Sequence, residues 1–472
     1  MTFDTLEKSY RKYLKSGTAA FALLAMLAAS PVAQAQKIEE ISGTLPDGTA
    51  WLISVPTDWN GVLLRDLDYA ANSQTERFTD LLSRGYAFAG LARHPMRPWQ
   101  YDPQREIHNL EAVQTIFEEQ YDPEWVLAFG CSGAGFVSLA AAEDFSDRID
   151  GAVVLSAHIP VWIMNSYLDG WFAMQTLLAD AYEEAGLGSA SDLRIVNMPN
   201  GAGSDGRTIG DIQASWRSAV ETLGETPEGR ARLALAFAIG QWSPWEAADQ
   251  PFPDPLTSEA LSDQLVPSAL RLTGTVGGQS RVMFENAASG QQLSGNEGID
   301  YAAFYDTASP IMKELVEHLY AEAGLDIGED IERINSAPRI AASDYALDYW
   351  SQPGRTADGD LQVPTIRVHS LGDNSIPYSL MQGYQALVEE KGTTDLYRQS
   401  LLKFTDHCGF EASETTALVE VMMERLETGE WPDTSPEALN AVAAELDLGE
   451  ARFMEEDGWR VEEYNRTWIA GE

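Results

Sequence analysis

Short apolar runs of strand length alternate with stretches of helical spacing along the first part of the chain. Val62 to Leu64, Tyr86 to Leu91, Val126 to Gly130 and Gly151 to Leu155 are such runs. Between them, Ile107 to Phe117 spaces Leu110, Val113 and Phe117 so that they share one helical face. The opening segment, Ile38 to Pro56, predicts two strands about a Pro46-Asp47-Gly48 turn. Apolar strands that alternate with helices predict an α/β protein with a mostly parallel sheet.

The rhythm changes after His158. From Ile159 to about Trp350 the chain carries helical segments, Gly- and Pro-rich loops and many aromatic residues, without strand–helix alternation. It resumes with a strand in Val363 to Ser370, a helix over Leu380 to Glu390, a strand near Tyr397 to Phe404 and a helix over Ser413 to Leu426. Pro436 to Glu445 predicts one more helix. The expected organisation is therefore a core of residues 36–158 and 351–472, interrupted by an inserted lid of residues 159–350.

The first 35 residues read as an export leader. Lys8, Arg11, Lys12 and Lys15 precede an apolar stretch from Ala19 to Ala29, and Ala33-Gln34-Ala35 suits cleavage after a small-x-small motif. The apolar stretch is short for a bilayer span. The reading is a periplasmic or secreted protein with no stable membrane insertion once the leader is removed. The formal charge is −42, from 73 acidic and 31 basic residues spread along the chain. Such a surface repels nucleic acid, which excludes that class of partner, and disfavours polyanionic substrates at long range.

The candidate chemistry lies where an apolar strand meets a small-residue turn. Val126 to Gly130 runs into Cys131-Ser132-Gly133-Ala134-Gly135, and an alanine-rich helical stretch follows to Ala142. A serine at the apex of a strand–turn–helix is the context of a nucleophile elbow, where strained backbone admits only small neighbours. Ala134 stands where the usual pattern has its second glycine. A serine hydroxyl needs a base to take its proton and an acid to orient that base. In α/β-hydrolases these follow in the order Ser, Asp/Glu, His. Asp373, in a loop just past a strand, and His407, before the last large helix, meet that order. Asp406 is the rival acid, but side chains of adjacent residues diverge. His94 and His108 precede the serine, His158 and His369 lie at strand ends, and His318 fits a helix surface. The expected oxyanion donors are the backbone of Gly133 and that of Asp68 or Tyr69, in the loop after an earlier strand.

The two cysteines flank these residues: Cys131 precedes Ser132 and Cys408 follows His407. In an exported protein such a pair can close a disulfide, and two separate buried thiols are the alternative. Cys131-Ser132, Asp373 and His407-Cys408 together resemble the CS–D–HC arrangement of the tannase/feruloyl esterase family. That resemblance implies an α/β-hydrolase fold, a Cys131–Cys408 bridge, a large lid between the elbow half and the acid-bearing strand, and hydrolysis of aromatic-acid esters. The acids of that family include gallate, ferulate and terephthalate monoesters. Some of its members bind calcium in the lid, and no Asp/Asn spacing here establishes such a site.

The function expected is an exported serine carboxylic ester hydrolase, working through an acyl-enzyme on a small-molecule ester and needing no cofactor or metal. Trp162, Trp171 and Phe284 are the lid aromatics singled out to stack on an aromatic acyl group, although most lid aromatics are expected to build the lid's own core. Arg271 and Arg281 are candidates for a substrate carboxylate, with surface pairing as the plainer role. The alternatives are an aliphatic polyester-oligomer hydrolase or peptidase with the same triad, and a catalytically silent α/β-hydrolase-fold binding protein.

Overall fold

A computed structural model describes residues 37–199, 201–245, 257–274, 279–373 and 375–455. The expected leader lies outside the described residues. The strands are β1 (Ile38–Thr44), β2 (Ala50–Pro56), β3 (Val62–Asp66), β4 (Ala87–Leu91), β5 (Trp125–Cys131), β6 (Gly151–Leu155), β7 (Thr365–Ser370), β8 (Tyr397–Leu402) and β9 (Phe453–Met454). Among the described residues they form one sheet in the order β1-β2-β4-β3-β5-β6-β7-β8-β9. From β4 to β8 every neighbouring pair is parallel, and β1, β2 and β9 join antiparallel at the two edges.

Helices fill the crossovers. In the first part they are α1 (Tyr69–Asn72), α2 (Glu76–Ser83), α3 (Pro103–Glu118) and α4 (Gly133–Asp144). The stretch between β6 and β7 holds α5 (Pro160–Glu184), α6 (Ile209–Leu223), α7 (Pro227–Gly240), α8 (Ser258–Leu272), α9 (Gln279–Ala287), α10 (Tyr301–Asp306), α11 (Pro310–Ala323), α12 (Ile327–Ser336) and α13 (Asp344–Trp350). After β7 come α14 (Ser379–Lys391), α15 (Ala412–Thr428) and α16 (Pro436–Glu445).

The period-2 geometry of a strand divides the core in two. Val126 and Ala128 of β5, with Ala152 and Val154 of β6, face the cluster that contains α3, α4 and the inserted helices. Leu127, Phe129, Val153 and Leu155 face the other side, against Phe78 and Leu81 of α2 and Leu418 and Met422 of α15. Strands buried on both faces read as unbroken apolar runs, which is why β5 and β6 were visible in the sequence. The inserted helix α5 is buried at every position from Pro160 to Met174. A helix apolar all round belongs in an interior, and α5 packs chiefly on α7. The short helices α1 and α2 and the edge strand β9 were not foreseen.

In a parallel sheet the loops after the strands emerge at one edge, and sites form there. Here Ser132, Asp373 and His407 follow β5, β7 and β8. Asp68 follows β3, Arg93 and Arg97 follow β4, and His158 follows β6. One edge thus gathers loops from all six parallel strands.

Candidate active site

The turn after β5 is tight, and its small residues are required by close packing. Ser132 sits at φ 61°, ψ −121°, a left-handed region that a non-glycine residue occupies only at a cost of about 1–3 kcal/mol. Its N–H donates to the Leu155 carbonyl at 3.0 Å, and its own carbonyl accepts from Phe136 N–H at 2.9 Å. A methyl group on Gly130 would lie 2.6 Å from the Ala134 Cβ, and one on Gly135 would lie 2.6 Å from the Leu155 carbonyl oxygen. Close approach of α4 to β5 and β6 therefore requires both glycines. Ala134 is tolerated because its Cβ fits over Gly130.

The histidine and the acid are in contact. His407 Nδ1 lies 2.7 Å from Asp373 Oδ2, and Asp373 has no solvent-exposed surface. The second oxygen of Asp373 accepts from Ile376 N–H at 3.0 Å. The acid loop is tied to the histidine loop by Gly372 N–H donating to the Phe404 carbonyl at 2.9 Å and by Ser370 Oγ–H donating to the Asp406 carbonyl at 3.2 Å. Burial opposes a charged His407 imidazolium, yet the Asp373 carboxylate and its hydrogen bond outweigh that and hold the ring's pKa above the ordinary histidine value. The rival Asp406 turns outward to Arg271, 3.4 Å away.

Cys131 and Cys408 are joined by a disulfide, with Cα atoms 6.0 Å apart. It ties the elbow to the histidine loop across a sequence separation of 277 residues. Cys408 itself holds φ 63°. Ser132 and His407 line one open cleft of about 510 Å³, together with Asp68, Arg93, Phe410 and both cysteines.

Of the oxyanion candidates, Gly133 opens α4, so its N–H has no partner four residues back within the helix. Asp68 N–H is engaged by Asp66 Oδ1 at 2.6 Å. Tyr69 is the first residue of α1, with its ring stacked on Phe88 at 4.6 Å between centroids. Of the two loop candidates, Tyr69 is the one whose N–H is not taken by Asp66. The Asp68 carboxylate is held by Arg93 through two contacts of 2.5 and 2.6 Å.

The aromatics singled out in the inserted segment divide. Phe284 of α9 packs 5.3 Å from Tyr101 and 5.6 Å from His158, ring to ring. Tyr101 in turn donates its hydroxyl to the Gly133 carbonyl at 3.3 Å. Trp171 packs on Trp216 and Trp242, among the helices between β6 and β7. Trp162, on the first turn of α5, is buried. Arg281 is buried against Glu285 and Ser294. The sequence reading missed Arg93, Arg97 and Tyr101, which lie in an irregular stretch with no periodic signal. His158 is buried between Phe136 and Phe284. Burial first, then the positive charges of Arg97, Arg93 and His407, keeps its pKa far below the usual value and the ring neutral. Among the described residues no group of three or more His, Cys, Asp or Glu side chains is placed to hold a metal. No helix among them is long and apolar enough to cross a membrane.

Fold, elbow and loop order define an α/β-hydrolase. No family model matches the chain. Among solved structures it resembles feruloyl esterase B from Aspergillus oryzae, with 15% identity, 86% of this chain and 84% of that one covered, and a TM-score of 0.38. It also resembles the α/β hydrolase GrgF from Penicillium sp. sh18, with 11% identity, 83% and 98% covered, and a TM-score of 0.37. Over 438 residues the chain is 56% identical to o-phthalyl amidase of Xanthobacter agilis, covering 91% of this chain and 96% of that protein. The chain belongs to the o-phthalyl amidase family.

Proposed function

We propose that this chain is an exported hydrolase that cleaves amides and esters of aromatic carboxylic acids of the phthalyl type through an acyl-enzyme. The observation that carries the reading is a strained serine, Ser132, sharing one cleft with a histidine already bound to a buried aspartate. The relative's name adds the amide bond to the ester expected from the sequence, and both follow the same acyl-transfer path.

In this reading His407 Nε2 takes the Ser132 proton as Oγ attacks the carbonyl carbon. The developing oxyanion is received by Gly133 N–H and Tyr69 N–H. Collapse breaks the C–N or C–O bond, and the His407 imidazolium returns the proton to the departing amine or alcohol. Asp373 holds the ring in the tautomer that allows both transfers. Water, activated by the same histidine, then releases the acid. An amine leaves only if protonated, so the Asp373–His407 contact matters more for an amide than for an ester. Tyr101, His158 and Phe284, grouped behind Gly133, support an aromatic acyl group, and the helices between β6 and β7 serve as the lid that excludes water. The disulfide suits an oxidising compartment and supports export.

The test is turnover of phthalate monoanilide, monomethyl phthalate and 4-nitrophenyl butyrate by the wild-type protein and by Ser132→Ala. Aromatic-acid turnover that disappears in the variant supports the reading; butyrate turnover alone moves the substrate to aliphatic esters.

A further inference from the structure

Arg97 has no role in the chemistry above, yet it stands beside the nucleophile. A methyl group on Gly133 would lie 3.1 Å from the Arg97 Nη2 and 3.4 Å from the Arg93 Nη1. The two arginines differ in how they are satisfied. Arg93 holds Asp68 with two hydrogen bonds. Arg97 is only 9% exposed, and its Nη1 has no hydrogen-bond partner among the described residues. Its guanidinium lies 3.5 Å over the Tyr101 ring, whose hydroxyl reaches the Gly133 carbonyl. Tyr101 thereby fixes the position of Arg97 relative to the elbow.

A buried guanidinium without a carboxylate is costly, because lost hydration is not replaced. This chain has 73 acidic side chains with which to pair it. The charged and titratable groups around Arg97 are Arg93, Asp68, Glu106, Tyr101 and His158. Asp68 is already occupied by Arg93. Glu106 lies 3.7 Å from Arg105, and burial raises its carboxyl pKa, weakening it as a counter-charge. Tyr101 and His158 carry no negative charge at neutral pH. Burial lowers the Arg97 pKa to about 10, which leaves it protonated there. The result is a buried positive charge with an unsatisfied donor, packed beside Gly133, the proposed oxyanion donor. A guanidinium fork matches a carboxylate in shape and charge.

We propose that Arg97 receives a free carboxylate on the substrate's acyl group and is the residue that makes the site selective for dicarboxylic aromatic acyl groups. The assignment rests on the acyl-transfer reading of Ser132. A carboxylate ortho to the scissile carbonyl is separated from it by two ring carbons. Held at Arg97, it sets that carbonyl beside Gly133 and within the reach of Ser132. Arg97 is a binding and positioning residue in this account.

The experiment compares wild type, Arg97→Met and Arg97→Lys in two assays. In the first, the ratio of kcat/KM for phthalate monoanilide over 4-nitrophenyl butyrate falls about 100-fold in Arg97→Met, chiefly through KM, with Arg97→Lys intermediate. In the second, phthalate raises Tm in the wild type while benzoate does not, and the rise is lost in Arg97→Met. Because Arg97 pairs with no carboxylate, Arg97→Met leaves no acid unpaired, and should loss of its contact with the Tyr101 ring lower Tm, Arg97→Lys gives a second reading. An unchanged selectivity ratio, or equal stabilisation of Arg97→Met by phthalate, overturns the proposal. Loss of the phthalate shift in Arg97→Met without any turnover of phthalate monoanilide by the wild type upholds the carboxylate site and instead contradicts the proposed reaction.

Discussion

Cys131 is bonded to Cys408, so the residue before Ser132 is covalently tied to the residue after His407. Two loops from different strands, β5 and β8, are thereby locked at the place where their side chains share a cleft. Closing a loop of this length restricts the unfolded chain by roughly 5 kcal/mol in the chain-entropy model.

The bridge has a kinetic consequence as well as a stabilising one. Reduction, or the paired change Cys131→Ala with Cys408→Ala, is expected to lower kcat by at least about tenfold while circular dichroism still reports a folded protein. The geometry of a catalytic pair tolerates little displacement. Activity and Tm measured across a dithiothreitol titration check this; activity that falls only together with Tm contradicts the positional role.

Asp373 is fully buried and points both oxygens at defined donors, His407 and the Ile376 N–H. Asp373→Asn keeps the shape but presents an amide that favours the wrong imidazole tautomer. Turnover is expected to drop by about 10⁴ with little change in KM. Steady-state kinetics on phthalate monoanilide measure it, and a fall below tenfold speaks against Asp373 as the orienting acid.

The His407 pKa sets the acid limb of the pH profile. The ring must be neutral to accept the Ser132 proton, and it is held above its ordinary value of 6.5. The kcat/KM profile of the wild type should therefore rise with pH through a midpoint above 6.5. In Asp373→Asn the carboxylate is gone while the burial that disfavours charge remains, so the midpoint moves down. The same raised pKa contributes stability that is complete below the unfolded value and is lost as pH rises through the folded one. A midpoint that stays put in the variant contradicts the coupling.

What the sequence made legible was what local rules govern. The elbow was readable because β5 is apolar on both faces and because Gly130 and Gly135 must be small where α4 crosses β5 and β6. The order of Ser132, Asp373 and His407 along the chain carried the triad candidates, and the resemblance to a CS–D–HC family carried the Cys131–Cys408 pairing, which the structure contains. The stretch between β6 and β7 reads in the sequence as lacking strand–helix alternation, and its described elements, from Pro160 to Trp350, include no strand. Helix α2 was missed although Phe78, Leu81 and Leu82 share a helical spacing after Thr75. Arg97 was not legible at all. Its closeness to Gly133 follows from the loops after β4 and β5, strands on either side of β3, meeting at the sheet edge, and nothing in the segment Arg93 to Tyr101 signals it. The packing of Trp171 on Trp216 and Trp242 depends on contacts that a linear pattern does not encode.

The central claim is that Ser132 becomes acylated during turnover. Intact-protein mass spectrometry of the wild type, quenched in acid within the first turnovers of monomethyl phthalate, tests it directly. The account predicts a transient adduct with the mass of the phthalyl group, mapped to the peptide containing Ser132 and absent from Ser132→Ala, which also loses turnover. Hydrolysis that continues undiminished in Ser132→Ala, with no adduct on Ser132 in the wild type, would contradict it.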